Sequence, residues 1–450
     1  PSFDMAASLT ARDFGWGSKV FKQAQQKKIA MFLSVLEYGY DVLLSDIDVM
    51  YLRDPFEFFR TVPGADLLVS SDLLVNTVKD DGPEDRKGIG ATLNVGIIFM
   101  RPTPATKKLT NEWNVMCSKN LDFWEQAAFN QLVRRGSTFK TNSSRGAYHD
   151  RVFDMYMGQV PTAVLPVSTF CSGHTGFVQR MPQRLGKQPY AVHATFQFAG
   201  TNGKRHRMRE WMVWQDPPVY YDPPGGLLAI DLEPPEELLR PSGREPRSVE
   251  AHFELVNWQL ARIRSGLVLA ELTGRVLIMP KLWCGYDRWW APHHGRIPGS
   301  SMPLPIRCPL DHVFNLEGSG LKPEMLREYS FLDNPLTPPA VKHSQHNLTL
   351  PAPMSREAVE GALKAEAART AKVLRIVQIT DDVYQKALTQ DEQASFQKRS
   401  MNYLGIWCCI QPLTRGKPGH IWYDMMWDII PHTDRWKQEW TTAWHPAPSK

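Results

Sequence analysis

The chain has 450 residues, 42% hydrophobic and 22% charged, a composition that supports a large buried core divided into two or more domains. Its formal net charge of +5 is spread along the chain, which argues against a nucleic-acid-binding protein. No apolar run approaches the length of about 18 residues that a membrane span requires, and the six cysteines form no Cys-x-x-Cys motif typical of structural zinc.

The first predicted elements are a helix and a strand that lead to a pair of acids. Ser18 is a candidate cap for a helix with apolar residues at helical spacing, and Gly39 is its predicted end. The apolar run 42–44 predicts a buried strand that ends just before Asp46 and Asp48. Carboxylates at the carboxyl end of a strand in an open α/β sheet are placed for a metal or a phosphate.

The Asp-x-Asp pair leaves several interpretations open. In nucleotide-sugar glycosyltransferases such a pair holds a divalent cation that bridges the donor phosphates, whereas in haloacid-dehalogenase-type phosphatases the first Asp is the nucleophile. A solvated turn with two acids is the structural alternative. Met50 stands where the phosphatases carry Thr or Val, and Asp381-Asp382 lies in another predicted domain. The phosphatase interpretation is therefore the weaker one.

The next elements continue an alternation of strands and helices. Strands are predicted at 66–69, 95–100, 163–165 and 190–193, and helices at about 106–117 and 124–134. This alternation is typical of the α/β class. A Pro-rich stretch at 233–248 breaks the pattern and predicts a linker. We therefore expect a first domain at 1–232 and a second domain at 249–450.

The second domain is predicted to be α/β as well. A long helix is followed by Gly274 as a stop and by a strand at 276–279, and a helix at about 355–369 precedes another strand. Cys284 and Cys308 flank part of a segment rich in Pro, Trp and His, and a disulfide between them is one possible pairing. The vicinal Cys408 and Cys409 offer competing partners.

Two stretches of the first domain have features of a sugar-binding site. Asn94 and Gly96 stand at the start of a predicted strand, and a glycine lets backbone approach a bound sugar closely. Glu125 and Gln126 open a predicted helix and can face a donor sugar from its amino-terminal end. Each has an ordinary alternative, a loop-to-strand turn and an acidic helix start that the helix dipole favours.

A third stretch, "YAVHATFQFAGTNGKRHR", combines an imidazole with basic residues. His193 ends a short predicted strand and can complete a metal site begun by Asp46 and Asp48. Lys204 and Arg205 follow a glycine-containing turn and can neutralise a diphosphate leaving group. A lone histidine is more often structural, but the basic glycine turn that follows it favours the functional interpretation.

Two sequons permit N-glycosylation if the chain matures in the secretory pathway. They are Asn142-Ser143-Ser144 and Asn347-Leu348-Thr349. Such triplets are frequent by chance, so they do not fix the compartment alone.

Longer motifs resemble one known family. The stretches "GWGS", "LLSDIDV", "NVGIIFMRPT", "FCSGHTGFVQ", "DPPVYYDPPGG", "CPLDHVF", "REYSFLDNPL" and "GIWCC" closely resemble the plant and green-algal extensin arabinosyltransferases of glycosyltransferase family 77, from about residue 3 to residue 428. The resemblance implies a GT-A-type domain followed by a second α/β domain similar to part of a fucosyltransferase-type Rossmann fold. It also implies that relatives have a strand and a helix before "SFDM", where this chain begins.

The resemblance implies an activity and a location. Members are retaining enzymes that transfer L-arabinofuranose from UDP-L-arabinofuranose to arabinosylated hydroxyproline-rich glycoproteins, using Mn²⁺, with Mg²⁺ as the alternative. They act in the Golgi lumen as type II membrane proteins, so a membrane contact is expected only through an amino-terminal anchor absent from this chain. No nucleic acid is expected as a partner.

The family's functional residues carry over to matching positions. By resemblance, Asp46, Asp48 and His193 are the expected metal ligands. Gln126 matches an acidic-Gln helix start, in which Glu125 stands where Asp is expected. The predicted catalytic residues are Gln126, Glu125 and Lys204, and the predicted donor-binding residues are Asp46, Asn94, Gly96, Lys204 and Arg205. The match is looser at His193, Lys204 and Arg205, where the spacing differs from that of related enzymes.

Two other functions stay open from the sequence. One is a pectin (rhamnogalacturonan-II) xylosyltransferase, a relative of the same family. The other is a non-catalytic glycan-binding scaffold, because some of the 15 tryptophans, such as Trp283, Trp289 and Trp290, cluster and can stack on sugars. The presence of Asp46, Asp48 and His193 favours catalysis.

Overall fold

The computed structural model describes residues 17–120, 123–240, 249–288, 297, 299–314, 316 and 325–400, together with the backbone of 404–414, 417–424 and 432–433. These residues form two compact units. The first contains the described residues up to 176 together with 180–194. The second contains 177–179 and the described residues from 195 onward.

The first unit alternates helices and strands. Its helices are α1 Lys19–Glu37, α2 Pro55–Thr61, α3 Arg86–Gly90, α4 Pro104–Lys119, α5 Glu125–Arg134 and α6 Met181–Arg184. Its strands are β1 Val42–Ser45, β2 Val49–Tyr51, β3 Leu67–Ser71, β4 Leu93–Met100, β5 Phe153–Met155, β6 Val160–Val164, β7 Phe170–Ser172 and β8 Ala191–His193. Each helix and strand predicted for this part of the chain corresponds to one of these elements.

A five-stranded mixed sheet is the centre of the first unit, in the order β1-β4-β3-β6-β5. β1 and β3 are antiparallel to β4, whereas β3 and β6 are parallel. Because β1 runs against β4, the end of β1 lies beside the middle of β4, and Ser45 pairs with Ile97. β2, β8 and β7 form a separate three-stranded sheet.

Local sequence explains how the chain enters β1. Ser18 Oγ accepts a hydrogen bond from the Phe21 backbone N–H at 3.1 Å and caps α1. Gly39 follows the helix with φ +87°, a left-handed conformation that glycine adopts without steric cost. The chain then turns directly into β1.

Apolar side chains fill both faces of the main sheet. α1, α4 and α5 cover one face, with Phe32, Trp113 and Phe129 among the buried side chains. On the other face Phe59 of α2 stacks on Phe99 of β4, with ring centroids 4.5 Å apart. Full burial of a large apolar side chain contributes roughly 1.5–3 kcal/mol, so this core holds the ends of β1 and β4 in fixed positions.

The second unit has more elements. Its helices are α7 Gly200–Glu210, α8 Pro218–Tyr221, α9 Glu236–Leu239, α10 Val249–Thr273, α11 Pro339–His343, α12 Arg356–Lys364, α13 Glu366–Thr370, α14 Val383–Ala387 and α15 Gln390–Ser400. Its strands are β9 Leu227–Ile230, β10 Val276–Ile278, β11 Leu282–Cys284, β12 Ile306–Cys308, β13 Leu326–Arg327, β14 Gln345–Thr349, β15 Val373–Val377, β16 Leu404–Thr414, β17 Lys417–Asp424 and β18 His432–Thr433. No helix in the described part of the chain combines the length and the apolar character that crossing a bilayer requires.

A five-stranded parallel sheet is the centre of the second unit, in the order β13-β10-β9-β15-β14. On one face Leu228 and Leu277 belong to a core shared with Leu260 of α10. On the other face Tyr220 and Phe331 are buried with the sheet. A parallel sheet with helices on its faces is a Rossmann-like arrangement, which confirms the predicted α/β class of this unit.

A disulfide joins β11 and β12, which pair antiparallel in the second unit. Cys284 and Cys308 are bonded, which confirms the pairing considered from the sequence. Gln259 of α10 accepts a hydrogen bond from the Trp283 N–H and donates one to the Trp283 carbonyl, both at 2.9 Å. The side chains of Cys408 and Cys409, and the whole of Trp289 and Trp290, lie outside the described residues.

The first unit ends before residue 232, the boundary predicted from the sequence. Residues 195–232 group with the second unit because β9 hydrogen-bonds with β10 and β15 at the centre of the parallel sheet. The predicted linker, 233–248, includes α9, and its residues 241–248 lie outside the described part. The helix predicted at 355–369 is divided into α12 and α13 at Ala365, whose backbone leaves the helical conformation at ψ 139°.

Candidate active site

Asp46 and Asp48 lie in a turn that two sheets hold. The Asp46 N–H donates to the Gly96 carbonyl at 2.9 Å, which ties the turn to β4. The Asp48 carbonyl accepts from the Ala194 N–H at 3.0 Å, which ties it to the end of β8. The side chain of Ile47, between them, is fully exposed. The turn is therefore fixed on both sides while its tip faces solvent.

His193 completes a cluster with these two acids. It pairs with Val49 in the antiparallel β2–β8 ladder, so the register of that ladder places it beside the turn. Its Nε2 is 3.3 Å from Asp48 Oδ1 and 3.6 Å from Asp46 Oδ2. One ligand atom from each of the three residues lies within 4.8 Å of the other two.

The donor set of this cluster fits a divalent cation. Two carboxylate oxygens and one imidazole nitrogen are ligands that borderline divalent metals accept, and the imidazole is buried whereas the acids are partly exposed. The fold therefore brings together the three residues predicted as metal ligands. His193 is distant from the two acids in sequence, and the pairing of β2 with β8 places it beside them.

Gly96 lies directly under the His193 ring. A Cβ at this position would be 2.2 Å from His193 Cε1 and 2.5 Å from Nδ1, closer than carbon and nitrogen atoms can approach. The sequence interpretation assigned this glycine to a close approach of backbone and sugar. In the structure the space is filled by the imidazole, so the missing side chain of Gly96 makes room for the His193 ring.

Asn94 and Gln126 meet at an acid that the sequence interpretation missed, Asp72. Asn94 Nδ2 donates to Asp72 Oδ1 at 2.8 Å, and Gln126 Nε2 donates to Asp72 Oδ2 at 3.0 Å. Burial raises the pKa of Asp72, against the opposing effects of the Asn94 hydrogen bond and of His193. The signal was available, because Asp72 follows the apolar strand β3 just as Asp46 follows β1.

The two amides are also fixed by backbone groups. Asn94 Oδ1 accepts from the Gly96 N–H at 2.9 Å, and Gln126 Oε1 accepts from the Val95 N–H at 3.3 Å. Their orientations follow from these contacts, since each amide oxygen faces a donor and each nitrogen faces the Asp72 carboxylate. The hydrogen-bond network of Asp72 and the cluster of Asp46, Asp48 and His193 therefore contact the same segment of β4.

Lys28 is a second residue that the sequence interpretation missed. Its Nζ lies 2.7 Å from Asp46 Oδ1, and neither side chain is more than a quarter exposed. Lys28 belongs to a basic stretch of α1, and such a stretch is typical of a solvent-exposed helix face. Only the packing of α1 beside β1 brings it to the acids.

Glu125 begins α5, as predicted, and is buried. Burial raises the pKa of its carboxyl, while Lys28 lowers it and Asp46 raises it further. Its backbone carbonyl accepts a hydrogen bond from Trp113 Nε1 at 2.9 Å, which fixes the first turn of the helix. Glu125 thus belongs to the same charged neighbourhood as Lys28 and Asp46.

Lys204 and Arg205 lie on α7, in the second unit. The sequence suggested a glycine turn before them, but the chain is helical from Gly200 onward. Gly203 permits close packing, because a Cβ there would be 1.7 Å from the Phe198 carbonyl oxygen. The Arg205 guanidinium lies 5.5 Å from the ring centroid of Trp214. Binding of a diphosphate by these two residues stays a prediction.

Comparison with known proteins gives the class. The family model described as nucleotide-diphospho-sugar transferase matches residues 2–208, a range that contains every predicted site residue. Together with the mixed sheet and the Asp-x-Asp turn, this match defines the chain as a glycosyltransferase with a GT-A-type α/β domain.

Similarity over the whole chain gives the family. Arabinosyltransferase XEG113 from Arabidopsis thaliana is 38% identical over 482 residues, which cover 100% of this chain and 70% of that protein. The chain therefore belongs to this family of arabinosyltransferases. Beta-arabinofuranosyltransferase RAY1 from the same plant is 30% identical over 99 residues, 22% of this chain and 17% of that protein.

More distant relatives are named as xylosyltransferases, which use another pentose. The UDP-D-xylose:L-fucose alpha-1,3-D-xylosyltransferase 3 from Arabidopsis thaliana is 25% identical over 234 residues, 48% of this chain and 54% of that protein. No solved structure matches the chain significantly.

Proposed function

We propose that this glycosyltransferase transfers L-arabinofuranose from UDP-L-arabinofuranose to an extensin-like, hydroxyproline-rich glycoprotein that already carries arabinose. The observation that carries the proposal is the cluster of Asp46, Asp48 and His193 in a chain 38% identical to an arabinosyltransferase along its full length. The partly buried network of Asp72, Asn94 and Gln126 beside it supplies polar groups for a sugar.

Asp46, Asp48 and His193 would hold Mn²⁺, with Mg²⁺ as the alternative. A cation bound there neutralises the donor diphosphate and eases departure of UDP. The imidazole favours Mn²⁺, because Mg²⁺ binds oxygen ligands almost exclusively.

The donor sugar is proposed to lie against Asn94, Glu125 and Gln126, whereas Gly96, which was also predicted to contact it, lies under the His193 ring. Asp72 holds both amides, so hydrogen bonds to the sugar hydroxyls form without reorganisation of these side chains. A site whose hydrogen-bonding groups are held in fixed positions rejects a sugar whose hydroxyls do not match those positions, and on this ground we expect it to prefer a pentose to a hexose. Glu125, with its longer arm than the expected Asp, contributes to donor choice.

The leaving diphosphate is met by cationic side chains. Lys28 is already beside the metal-ligand cluster of the first unit, at 2.7 Å from Asp46. Lys204 and Arg205 are proposed for the same role. A cation that meets growing negative charge stabilises the transition state more than the bound donor.

Retention follows from a front-face path. The acceptor hydroxyl attacks from the side on which UDP leaves, with Gln126 close to the developing oxocarbenium-like charge. The Gln126 amide is a poor nucleophile, and both Asp72 oxygens already accept hydrogen bonds from amides. The proposed path therefore forms no covalent intermediate on Gln126 or on Asp72.

The proposed location is the Golgi lumen, with an amino-terminal membrane anchor in the full-length protein. The disulfide between Cys284 and Cys308 supports maturation in an oxidising compartment. The expected partners are the UDP-sugar and the glycoprotein acceptor.

A donor competition tests the proposal. The full-length protein receives UDP-arabinofuranose, UDP-xylose and UDP-galactose together with an arabinosylated hydroxyproline peptide, and the product is read by mass and linkage. Arabinofuranose is expected to dominate. Preferred transfer of xylose, above all to a fucose-containing acceptor, would instead assign the pectin xylosyltransferase activity that the similarity to xylosyltransferases makes the second candidate. Absence of transfer from every donor would favour a glycan-binding scaffold.

A further inference from the structure

The parallel sheet of the second unit ends at β14, which pairs with β15 and with no other strand in the described part of the chain. All five residues of β14 pair with β15 without a register shift. The opposite side of such a strand presents a row of peptide groups that can pair with another chain. β14 is therefore an edge that needs protection.

The usual protective features are absent from β14 itself. Its sequence, Gln345 to Thr349, contains no Lys, Arg, Asp, Glu or Pro, and no bulge interrupts its ladder. The other edge strands of the two described five-stranded sheets are shorter: β1 has four residues, β5 has three and β13 has two. A short edge strand is protected by its length, because it offers few peptide groups for pairing, and β14 is longer than the other edge strands.

One of the two sequons lies within this strand. Asn347 and Thr349 are exposed, whereas Leu348 between them faces the opposite side and packs against the core. The alternation of a strand therefore presents the acceptor amide to solvent and keeps the apolar residue inside. A bulky substituent on Asn347 would not disturb the packing.

The disulfide in the same unit indicates the compartment. Bonded cysteines persist in the secretory pathway, where Asn-x-Thr sequons are also modified. The sequon, the exposed asparagine and the disulfide are independent observations that agree.

We propose that Asn347 carries an N-linked glycan that covers the β14 edge and prevents association of the protein through that strand. In the modification, Asn347 Nδ2 forms a bond to the anomeric carbon of an oligosaccharide bound to a lipid diphosphate. The amide loses one proton and the lipid diphosphate leaves. The inference does not depend on which donor sugar the enzyme itself uses.

Site occupancy is tested by mapping. The full-length protein is produced in the secretory pathway of plant cells, and its N-glycans are released enzymatically in ¹⁸O-water, which converts glycosylated Asn to labelled Asp. Label at position 347 is expected in the wild type and in Asn142→Gln, and not in Asn347→Gln or Thr349→Ala. Unmodified Asn347 in the wild type would refute the site.

The protective role has its own measurement. Sedimentation velocity of Thr349→Ala, which lacks the sequon but keeps Asn347, is expected to show larger species than the wild type. Asn347→Lys, also without a glycan but with a charge on the edge, is expected to sediment like the wild type. Identical sedimentation of Thr349→Ala and the wild type would refute the covering of the edge even if the glycan is present.

Discussion

The imidazole of His193 and the absent side chain of Gly96 form one steric unit. β4 is buried along its whole length, so its backbone cannot move away to admit a methyl group at position 96. Any such group displaces the ring, whose Nε2 lies 3.3 Å from Asp48. The geometry of the cluster of Asp46, Asp48 and His193 thus depends on the absence of a side chain at position 96.

Gly96→Ala is expected to weaken Mn²⁺ binding by about 10- to 100-fold, the range typical of changes that disturb the orientation of a metal ligand. Binding is measured by isothermal titration of the free protein with Mn²⁺. Gly90→Ala is the matched control, because a Cβ there meets no atom within 4 Å. Equal Mn²⁺ affinities of Gly96→Ala and Gly90→Ala would contradict the assignment of His193 as a ligand.

Asp72 is the group on which the two amides converge. Replacing it by Asn puts an NH₂ group against either Asn94 Nδ2 or Gln126 Nε2, so one of the amides must turn.

Asp72→Asn is therefore expected to lower kcat by about 10- to 100-fold, the scale of losses caused by misplaced catalytic groups. Steady-state kinetics with UDP-arabinofuranose measure the effect. The control is Asp81→Asn, an exposed acid on the following loop paired with Lys187 at 3.0 Å, which should leave kcat unchanged. A kcat for Asp72→Asn equal to that of the control would remove Asp72 from the site.

At the scale of elements, the disulfide joins two short strands whose apolar residues are buried in the core of the second unit. It closes a separation of 24 residues between Cys284 and Cys308, next to the β11–β12 ladder and the hydrogen bonds between Gln259 and Trp283. Closing a loop of this size restricts the unfolded chain.

Cys284→Ala/Cys308→Ala is expected to lower the free energy of unfolding by about 3 kcal/mol. Thermal denaturation with and without reductant measures it: reductant should lower the Tm of the wild type and leave the Tm of the double variant unchanged. A wild-type Tm insensitive to complete reduction would show that the bond adds no stability.

A buried ion pair anchors α7 within the second unit. Arg207 Nε lies 2.9 Å and 3.1 Å from the two carboxylate oxygens of Asp311, which also accepts from the Phe198 N–H at 2.8 Å. Burial alone would raise the pKa of Asp311, but Arg207 and His312 outweigh it and hold the pKa below its ordinary value. The pair fixes the helix that carries Lys204 and Arg205.

Arg207→Met is expected to destabilise the protein by about 3–5 kcal/mol at neutral pH, because it leaves Asp311 buried without its partner. Since the native pKa of Asp311 is lowered, the stability it contributes is present above the unfolded pKa and is lost as pH falls through the native value. The penalty of Arg207→Met should therefore shrink in acid, as chemical denaturation across pH measures.

Two further variants test whether the destabilisation by Arg207→Met comes from the buried, unpaired charge of Asp311. Arg207→Met/Asp311→Asn should be more stable than Arg207→Met alone, because no buried charge remains unpaired. Arg375→Met, which breaks the more exposed pair with Asp231, should cost less than about 1 kcal/mol. If the buried and exposed pairs had the same effect, Arg207–Asp311 would not be an anchor.

The elements also show where sequence prediction was sufficient. α1, β1 and β4 follow from apolar spacing, the Ser18 cap and Gly39, which are local signals. β9 was missed because its four apolar residues follow a Pro- and Gly-rich turn and have no periodicity of their own. Its assignment to the second unit depends on pairing with β10 and β15, which are distant in sequence.

For the whole molecule, long specific motifs gave the family and much of the site. Asp46, Asp48 and His193 were predicted as ligands from the motifs. The β2–β8 register that brings them together is a tertiary contact, which local sequence does not predict. Lys28 was beyond sequence reasoning, because a basic residue on an amphipathic helix has no signature until the helix is packed. Gly96 was predicted to lie close to a bound sugar, whereas the group that lies against it in the structure is the His193 imidazole.

The metal dependence of transfer tests most directly whether Asp46, Asp48 and His193 work as a cation site in an arabinosyltransferase. The full-length protein is assayed for transfer of arabinofuranose to an arabinosylated hydroxyproline peptide with Mn²⁺ and after complete chelation, beside Asp48→Asn. We expect chelation to abolish transfer, Mn²⁺ to restore it, and Asp48→Asn to fold normally but lose at least about 100-fold in kcat. Undiminished transfer by chelated wild type, or by Asp48→Asn, would contradict the cation site.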